Sequence, residues 1–146
     1  MSLQQPGPGA SVLARLSDLP EREADTSRAL RLWCEGPSGQ AEVWAAFSSR
    51  HGAVRGRASL KAFEDLVSIC ERHSRRRLMR HGRHCQCAGA DECWFARLVA
   101  LASDGCREDA LMVAMVFVRP DVAMTLPDLA SEVGRSLPCL TISPDY

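Results

Sequence analysis

The sequence predicts an all-α protein, a single-domain bundle of five to seven helices around an apolar central helix at about residues 107–118. Apolar side chains recur at the three- and four-residue spacing of one helix face between Leu60 and Cys70. No stretch alternates apolar and polar residues in the way that a half-buried strand does. The length of 146 residues and the apolar content of 46% are typical of one folded domain.

Glycines, prolines and capping residues divide the N-terminal half into helices. Residues 1–10 contain two Pro-Gly pairs, and we expect them to form a flexible leader. Three helices are then expected within residues 11–80, because small polar residues can cap helix starts and glycine ends helices. Their expected limits are Pro20 to Gly36, Ser38 to Gly52, and Ser59 through the basic residues toward Gly82.

The C-terminal half begins after a Cys/His loop at residues 81–90, and its helices are expected within residues 91–135. The run Ala110–Val118 is apolar all round, follows acidic residues and is broken at Pro120, which favours a buried central helix. One further helix is expected from the cap Asp91 to Gly105. Another is expected from a capping box at Thr125 to Asp128 as far as Gly134, followed by an irregular tail at 136–146.

Charge and composition narrow the class of protein. Lys plus Arg and Asp plus Glu both number 18, so binding to an anionic partner would need a local basic patch. The longest apolar run has nine residues, against the roughly 20 that cross a bilayer, so we expect no membrane contact. The N-terminus lacks the pattern of a secretory signal, and seven is an odd number of cysteines, which favours a cytoplasmic protein with reduced thiols. Lys61 is the single lysine, and this Arg-rich composition favours a bacterial source.

The Cys/His loop is a candidate zinc site. Thiolates and imidazoles are the usual ligands of zinc, and four such donors lie within ten residues: His84, Cys85, Cys87 and Cys93, with His81 as a fifth nearby. The spacing departs from a zinc knuckle, which has two residues between paired cysteines. The alternative is that these cysteines are small apolar side chains. A thiol-based redox sensor is a further alternative, because a cysteine at a helix start can have a depressed pKa.

A cluster of arginines precedes the loop. Six arginines and no acidic residue lie between positions 72 and 83, and guanidinium groups pair well with phosphate or carboxylate. We expect this cluster to bind a protein partner, and nucleic acid is the alternative. Its members are Arg72, Arg75, Arg76, Arg77, Arg80 and Arg83.

The stretch Leu126–Leu140 resembles the helix-turn-helix of bacterial transcription regulators, with a Leu-x-x-Leu-Ala helix, a glycine turn and a following Ser. The resemblance implies DNA binding in the major groove. Pro138 interrupts the segment that would form the recognition helix.

The favoured function is therefore a non-enzymatic, cytoplasmic helical binding protein, with a small structural zinc site in its central loop. A DNA-binding transcription regulator is the alternative, and a redox sensor is third. No pair of acid and base residues, triad or phosphate loop indicates an enzyme.

Overall fold

The computed structural model describes residues 8–140, and within them the predicted all-α bundle is confirmed: six helices accompany one small sheet. The helices are α1 (Glu21–Cys34), α2 (Pro37–His73), α3 (Ala90–Ser103), α4 (Arg107–Phe117), α5 (Pro120–Ala123) and α6 (Leu126–Ser136). The strands are β1 (Val12–Arg15) and β2 (Cys87–Gly89), which pair antiparallel. None of the helices in this part of the chain is long and apolar enough to cross a bilayer.

The chain before α1 is built into the fold. Strand β1 pairs with β2, so part of the expected loop 81–90 is a strand. The sequence did not indicate these strands, because runs of three and four residues are too short to show an alternating pattern. Before β1, the 3₁₀ turn Pro8–Ala10 packs against α3, and Ala10 is buried. Of the predicted flexible leader at residues 1–10, residues 8–10 are therefore packed against α3, and residues 1–7 lie outside the described range.

Helices α1 and α2 supply the aromatic part of the core. The ring of Phe63 in α2 meets the rings of Trp33, Phe47 and Phe95 at centroid distances of 5.7, 6.2 and 6.4 Å. These contacts join α1, both halves of α2 and α3. The amphipathic spacing seen in the sequence around Leu60–Cys70 therefore does mark a buried face.

Helix α2 bends at Gly52. The φ angle of this residue is +79°, in the left-handed region that glycine adopts without strain, so the predicted stop at Gly52 coincides with a real break in the helical path. The chain is helical again directly after it, so the expected start at Ser59 is wrong. Ser59 lies buried inside the helix.

Helix α3 is the central helix, because it packs against α1, α4 and α6. The helix expected at 107–118 is present as α4, but it lies at the side of α3. Small side chains such as Ala110 and Ala114 face inward, whereas Met112 and Val116 are 64% and 72% exposed. The apolar run therefore forms two helix faces. One face is buried and the other is exposed, although both are apolar.

Helix α6 begins and ends differently from the expectation. The hydroxyl of Thr125 donates to the carbonyl of Val122 and not to the start of α6, so the capping box is absent. The helix also runs through Gly134 to Ser136. A Cβ at Gly134 would lie 2.5 Å from Cβ of Ser103, so this glycine permits the close approach of α6 to α3.

Candidate functional site

The arginine-rich chain between α2 and β2 is not helical. Helix α2 ends at His73, so the predicted continuation toward Gly82 is wrong. Directly afterwards Ser74 forms an antiparallel bridge with Val118, which turns the backbone away from the helix axis. We refer to residues 74–86 as the arginine segment.

A buried ion pair beneath the arginine segment joins α1 to α3. The side chains of Arg31 and Glu92 are both 0% exposed, and Nε and Nη2 of Arg31 donate to the two carboxylate oxygens at 2.7 and 2.9 Å. Nη1 and Nη2 also donate to the carbonyls of Cys85 and Cys87, at 2.7 and 2.5 Å. A buried charge is tolerated when it is paired and hydrogen-bonded in this way. Arg31 therefore ties the end of the arginine segment to the core.

Glu92 carries further hydrogen bonds to the same segment. Its carboxylate accepts the backbone N–H of His81 at 2.8 Å and that of Gly89 at 3.0 Å. Gly89 is the N-cap of α3, so the expected cap at Asp91 is wrong. Burial alone would raise the pKa of Glu92, but the hydrogen bonds from Arg31 and from these two N–H groups hold its pKa below the ordinary value of 4.5.

Asp91, the residue before Glu92, holds the middle of the arginine segment. Its side chain is 1% exposed and accepts two hydrogen bonds from Arg76, at 2.8 and 2.5 Å. It also accepts the backbone N–H of Met79 at 2.7 Å. The guanidinium of Arg76 lies 5.1 Å from the ring centroid of Phe117. The charge of Arg76 is therefore neutralised within the fold.

His81 connects the arginine segment to the N-terminal turn. Its Nε2 lies 2.9 Å from the carbonyl oxygen of Ala10 and donates to it, since a carbonyl can only accept. Its Nδ1 lies 3.8 Å from Sγ of Cys85. A Cβ on Gly89 would come within 3.0 Å of the His81 ring, so glycine leaves the space that this ring occupies. The turn, the segment and β2 therefore form one packed unit.

Arg83, at the far end of the segment, is also paired within the fold. Its guanidinium donates to Glu35 at 2.9 and 2.5 Å, and it also pairs with Glu42. These hydrogen bonds raise the pKa of Arg83 above its ordinary value, and the bond from Arg83 lowers the pKa of Glu35. Arg83 is thus bound by two carboxylates, and the pair of acids exceeds it by one negative charge.

The remaining predicted arginines differ from Arg76 and Arg83. Arg80 donates to the carbonyl of Cys34 at 3.1 Å, and it has no carboxylate partner within residues 8–140. Three others are exposed, and within the same range their side chains have no hydrogen bond or ion pair: Arg72, Arg75 and Arg77. Of the six predicted partner-binding residues, two are therefore used in the fold and four retain an unneutralised charge.

An open pocket of about 400 Å³ lies beside the arginine segment. Four arginines, one histidine and one glutamate are among its lining residues: Arg31, Arg77, Arg80, Arg83, His81 and Glu35. The hydrogen bonds of the buried Arg31 and Glu92 hold the backbone of the arginine segment, which contributes to the pocket lining. Three of the six predicted arginines line this pocket, and it is our candidate functional site.

The predicted zinc donors lie on different parts of the fold. His84 is exposed on the arginine segment, Cys85 is half-buried on it, Cys87 lies in β2, and Cys93 lies in the first turn of α3. Within residues 8–140 these donors do not form a group whose ligating atoms all lie within 4.8 Å of one another. The loop is ordered instead by the buried ion pair. The geometry gives the zinc site no support, and it stays a prediction.

Cys34, Cys70 and Cys93 have a raised pKa, whereas a redox site would need a lowered one. Burial, followed by the charges of Glu92 and Glu23, raises the pKa of Cys93, so the expected effect of the helix start is outweighed. Burial also raises the pKa of Cys34 to about 11 and that of Cys70 to about 12.

A different set of metal-ligating atoms comes together at the start of α1. Glu21, Asp25 and Cys139 each place one such atom within 4.8 Å of the others, a spacing compatible with a metal ion. Oδ1 of Asp25 already accepts the N–H of Leu140 at 3.1 Å and a bond from Arg28 at 3.2 Å. The sequence could not indicate this group, because one member is more than 100 residues from the other two.

The helix-turn-helix resemblance finds no recognition helix in the described chain. Helix α6 extends past the expected turn at Gly134, and residues 137–140 are not helical. Leu126, Ala130 and Val133 are all 0% exposed, so the inner face of α6 packs in the bundle. Residues 141–146 lie outside the described range.

Sequence reasoning missed the two charged residues that organise the site, Arg31 and Glu92. A signal was present for the first, because Arg31 stands between Leu30 and Leu32 on the apolar side of α1. A charge in such a position indicates a buried partner. The identity of that partner could not be read from the chain, since the two residues are 61 positions apart.

Comparison of the chain with family models, with curated proteins and with solved structures found no match in any of the three.

Proposed function

We propose that this protein is a non-enzymatic binding protein whose unneutralised arginines contact an acidic segment of a partner protein. The observation that carries the proposal is the contrast among the six arginines. Arg76 and Arg83 have carboxylate partners in the fold, whereas Arg72, Arg75 and Arg77 are exposed with none in residues 8–140. Guanidinium groups pair with carboxylates in bidentate geometry, so these three are suited to an acidic surface.

The backbone that carries these arginines is held on several sides. The N–H of Arg75 donates to the carbonyl of Phe117 at 2.9 Å, and Leu78 is 4% exposed. A charged surface on an ordered backbone loses less conformational entropy on binding than a mobile one does. This favours a defined docking surface over a merely solvated run of charge.

The buried ionisable groups favour binding over catalysis. Arg31, Glu92 and Asp91 are occupied by hydrogen bonds within the fold, and each has a structural role that accounts for its burial. A general acid or base needs a polar atom that can reach a substrate. The arginines that face solvent here remain protonated and serve to bind anions, and Glu35, which lines the same pocket, is paired with Arg83.

The test uses a triple charge reversal, Arg72→Glu with Arg75→Glu and Arg77→Glu. The matched control is Arg15→Glu with Arg50→Glu and Arg55→Glu, three other exposed arginines without a side-chain ion pair or hydrogen bond in residues 8–140. Both variants change the net charge equally. The probe is fluorescent poly-glutamate, and binding is measured by anisotropy at two salt concentrations.

We expect the parent to bind poly-glutamate with an affinity that falls as salt rises, because the contacts are ionic. The test variant should lose this binding, and the control should keep most of it. Equal losses in the two variants would contradict a defined surface. Binding to a DNA duplex in preference to poly-glutamate would replace this proposal with the nucleic-acid alternative.

A further inference from the structure

The charges that line the pocket are not evenly balanced. Arg31 is neutralised by Glu92, and Arg83 is outweighed by its two glutamates. Arg77 and Arg80 line the same pocket with no carboxylate partner in the described chain. The attraction for an anion therefore comes from these two arginines.

The number of charges and free donors indicates the class of anion. Two guanidinium groups present two positive charges and several N–H donors, since Arg80 uses one bond to the carbonyl of Cys34 and Arg77 uses none. A carboxylate carries one charge and two oxygens, which one guanidinium fork can satisfy. A phosphate monoester carries about −1.5 to −2 charge at neutral pH and three acceptor oxygens.

We propose that the pocket binds a phosphate monoester group, held between Arg77 and Arg80. The position of Arg80 is fixed, because its bond to Cys34 ties its guanidinium to the C-terminal end of α1. Arg77 is exposed and closes on the phosphoryl oxygens from the solvent side. The phosphate belongs to a phosphorylated side chain or to a phosphorylated small molecule, which share this chemistry.

This inference goes beyond the acidic-partner function, and the two can fail separately. Arg77 belongs to both proposals, whereas Arg80 lines only the pocket and Arg72 and Arg75 do not line it. A variant at Arg80 therefore tests the pocket, and variants at Arg72 and Arg75 test the exposed surface.

The experiment titrates ¹⁵N-labelled protein with inorganic phosphate at constant ionic strength, with chloride as the balancing anion. We expect saturable shifts of the amide signals of residues 77–83. Arg80→Gln and Arg77→Gln should each weaken binding at least tenfold, while the matched control Arg55→Gln, at an exposed arginine that does not line the pocket, should leave it within twofold. Arg77 has no bond within the described fold, so Arg77→Gln tests the pocket without disturbing its walls.

Parallel titrations with O-phosphoserine and with glucose 6-phosphate separate the two sources of phosphate. Tighter binding of the first supports a phosphorylated side chain, and tighter binding of the second supports a phosphorylated small molecule. Two results would overturn the proposal: shifts that do not saturate, or equal weakening by Arg55→Gln and Arg80→Gln, which would indicate non-specific attraction.

Discussion

Arg31 in α1 and Glu92 in α3 form an ion pair with an Nε to Oε1 distance of 2.7 Å, and neither side chain is exposed. Both residues also hold backbone groups of the arginine segment or of β2. The pair therefore joins two helices and positions one wall of the candidate pocket. Loss of the pair should lower the free energy of unfolding and the order of the arginine segment.

Replacing Glu92 with Gln should destabilise the protein strongly. The substitution leaves the Arg31 guanidinium buried without its counter-charge, and breaking a buried pair in this way costs about 3–5 kcal/mol. The free energy of unfolding, measured by urea denaturation, should fall by that amount. Glu64→Gln, on the exposed surface of α2, is the control and should change stability by no more than about 0.5 kcal/mol. A loss below about 1 kcal/mol in the test variant would show that the pair does not stabilise the fold.

The pH dependence of stability should contain a contribution from Glu92. Its folded pKa is lowered below the ordinary 4.5, so its stabilising effect is present above that value and is lost as pH falls through the folded pKa. Burial raises the pKa of Asp25, so its contribution to the pH dependence of stability has the opposite sign. Acidification through the folded pKa of Asp25 favours the folded state.

Melting temperatures measured between pH 7 and pH 3 should reveal the effect of Glu92. The parent should lose stability below about pH 4.5, and Glu92→Gln should lose less over the same range because it has no carboxylate to protonate. Parallel curves for the two proteins would contradict the assignment. The comparison is restricted to pH values at which both proteins are folded at the start of the melt.

The cysteines should react with a thiol reagent in an order set by burial. Cys106 and Cys139 are exposed, whereas Cys70 is 0% exposed and its pKa is raised to about 12. Since the thiolate is the reactive form, we expect fast alkylation of the first two and protection of Cys70 until the protein unfolds. Mass spectrometry of timed iodoacetamide reactions provides the measurement. Alkylation of Cys93 ahead of the exposed thiols would instead support the alternative of a thiol-based redox sensor.

Local pattern was sufficient for the helical class and for several helix limits. The spacing from Leu60 to Cys70 marks a buried face, and Gly52 and Pro120 coincide with a bend and a helix start. These features depend on residues within one or two turns of each other, and such interactions are present in the sequence itself. The cluster of six arginines was likewise visible in the sequence.

Pairing between distant residues decided the rest. Whether an arginine is free or neutralised depends on the acid that the fold brings to it: Asp91 for Arg76, and Glu35 with Glu42 for Arg83. The end of α2 at His73 also coincides with such a contact, the bridge between residues 74 and 118. The chain specifies these partners only through its complete packing, because burial and ion pairing act between atoms that are close in space at any separation in sequence.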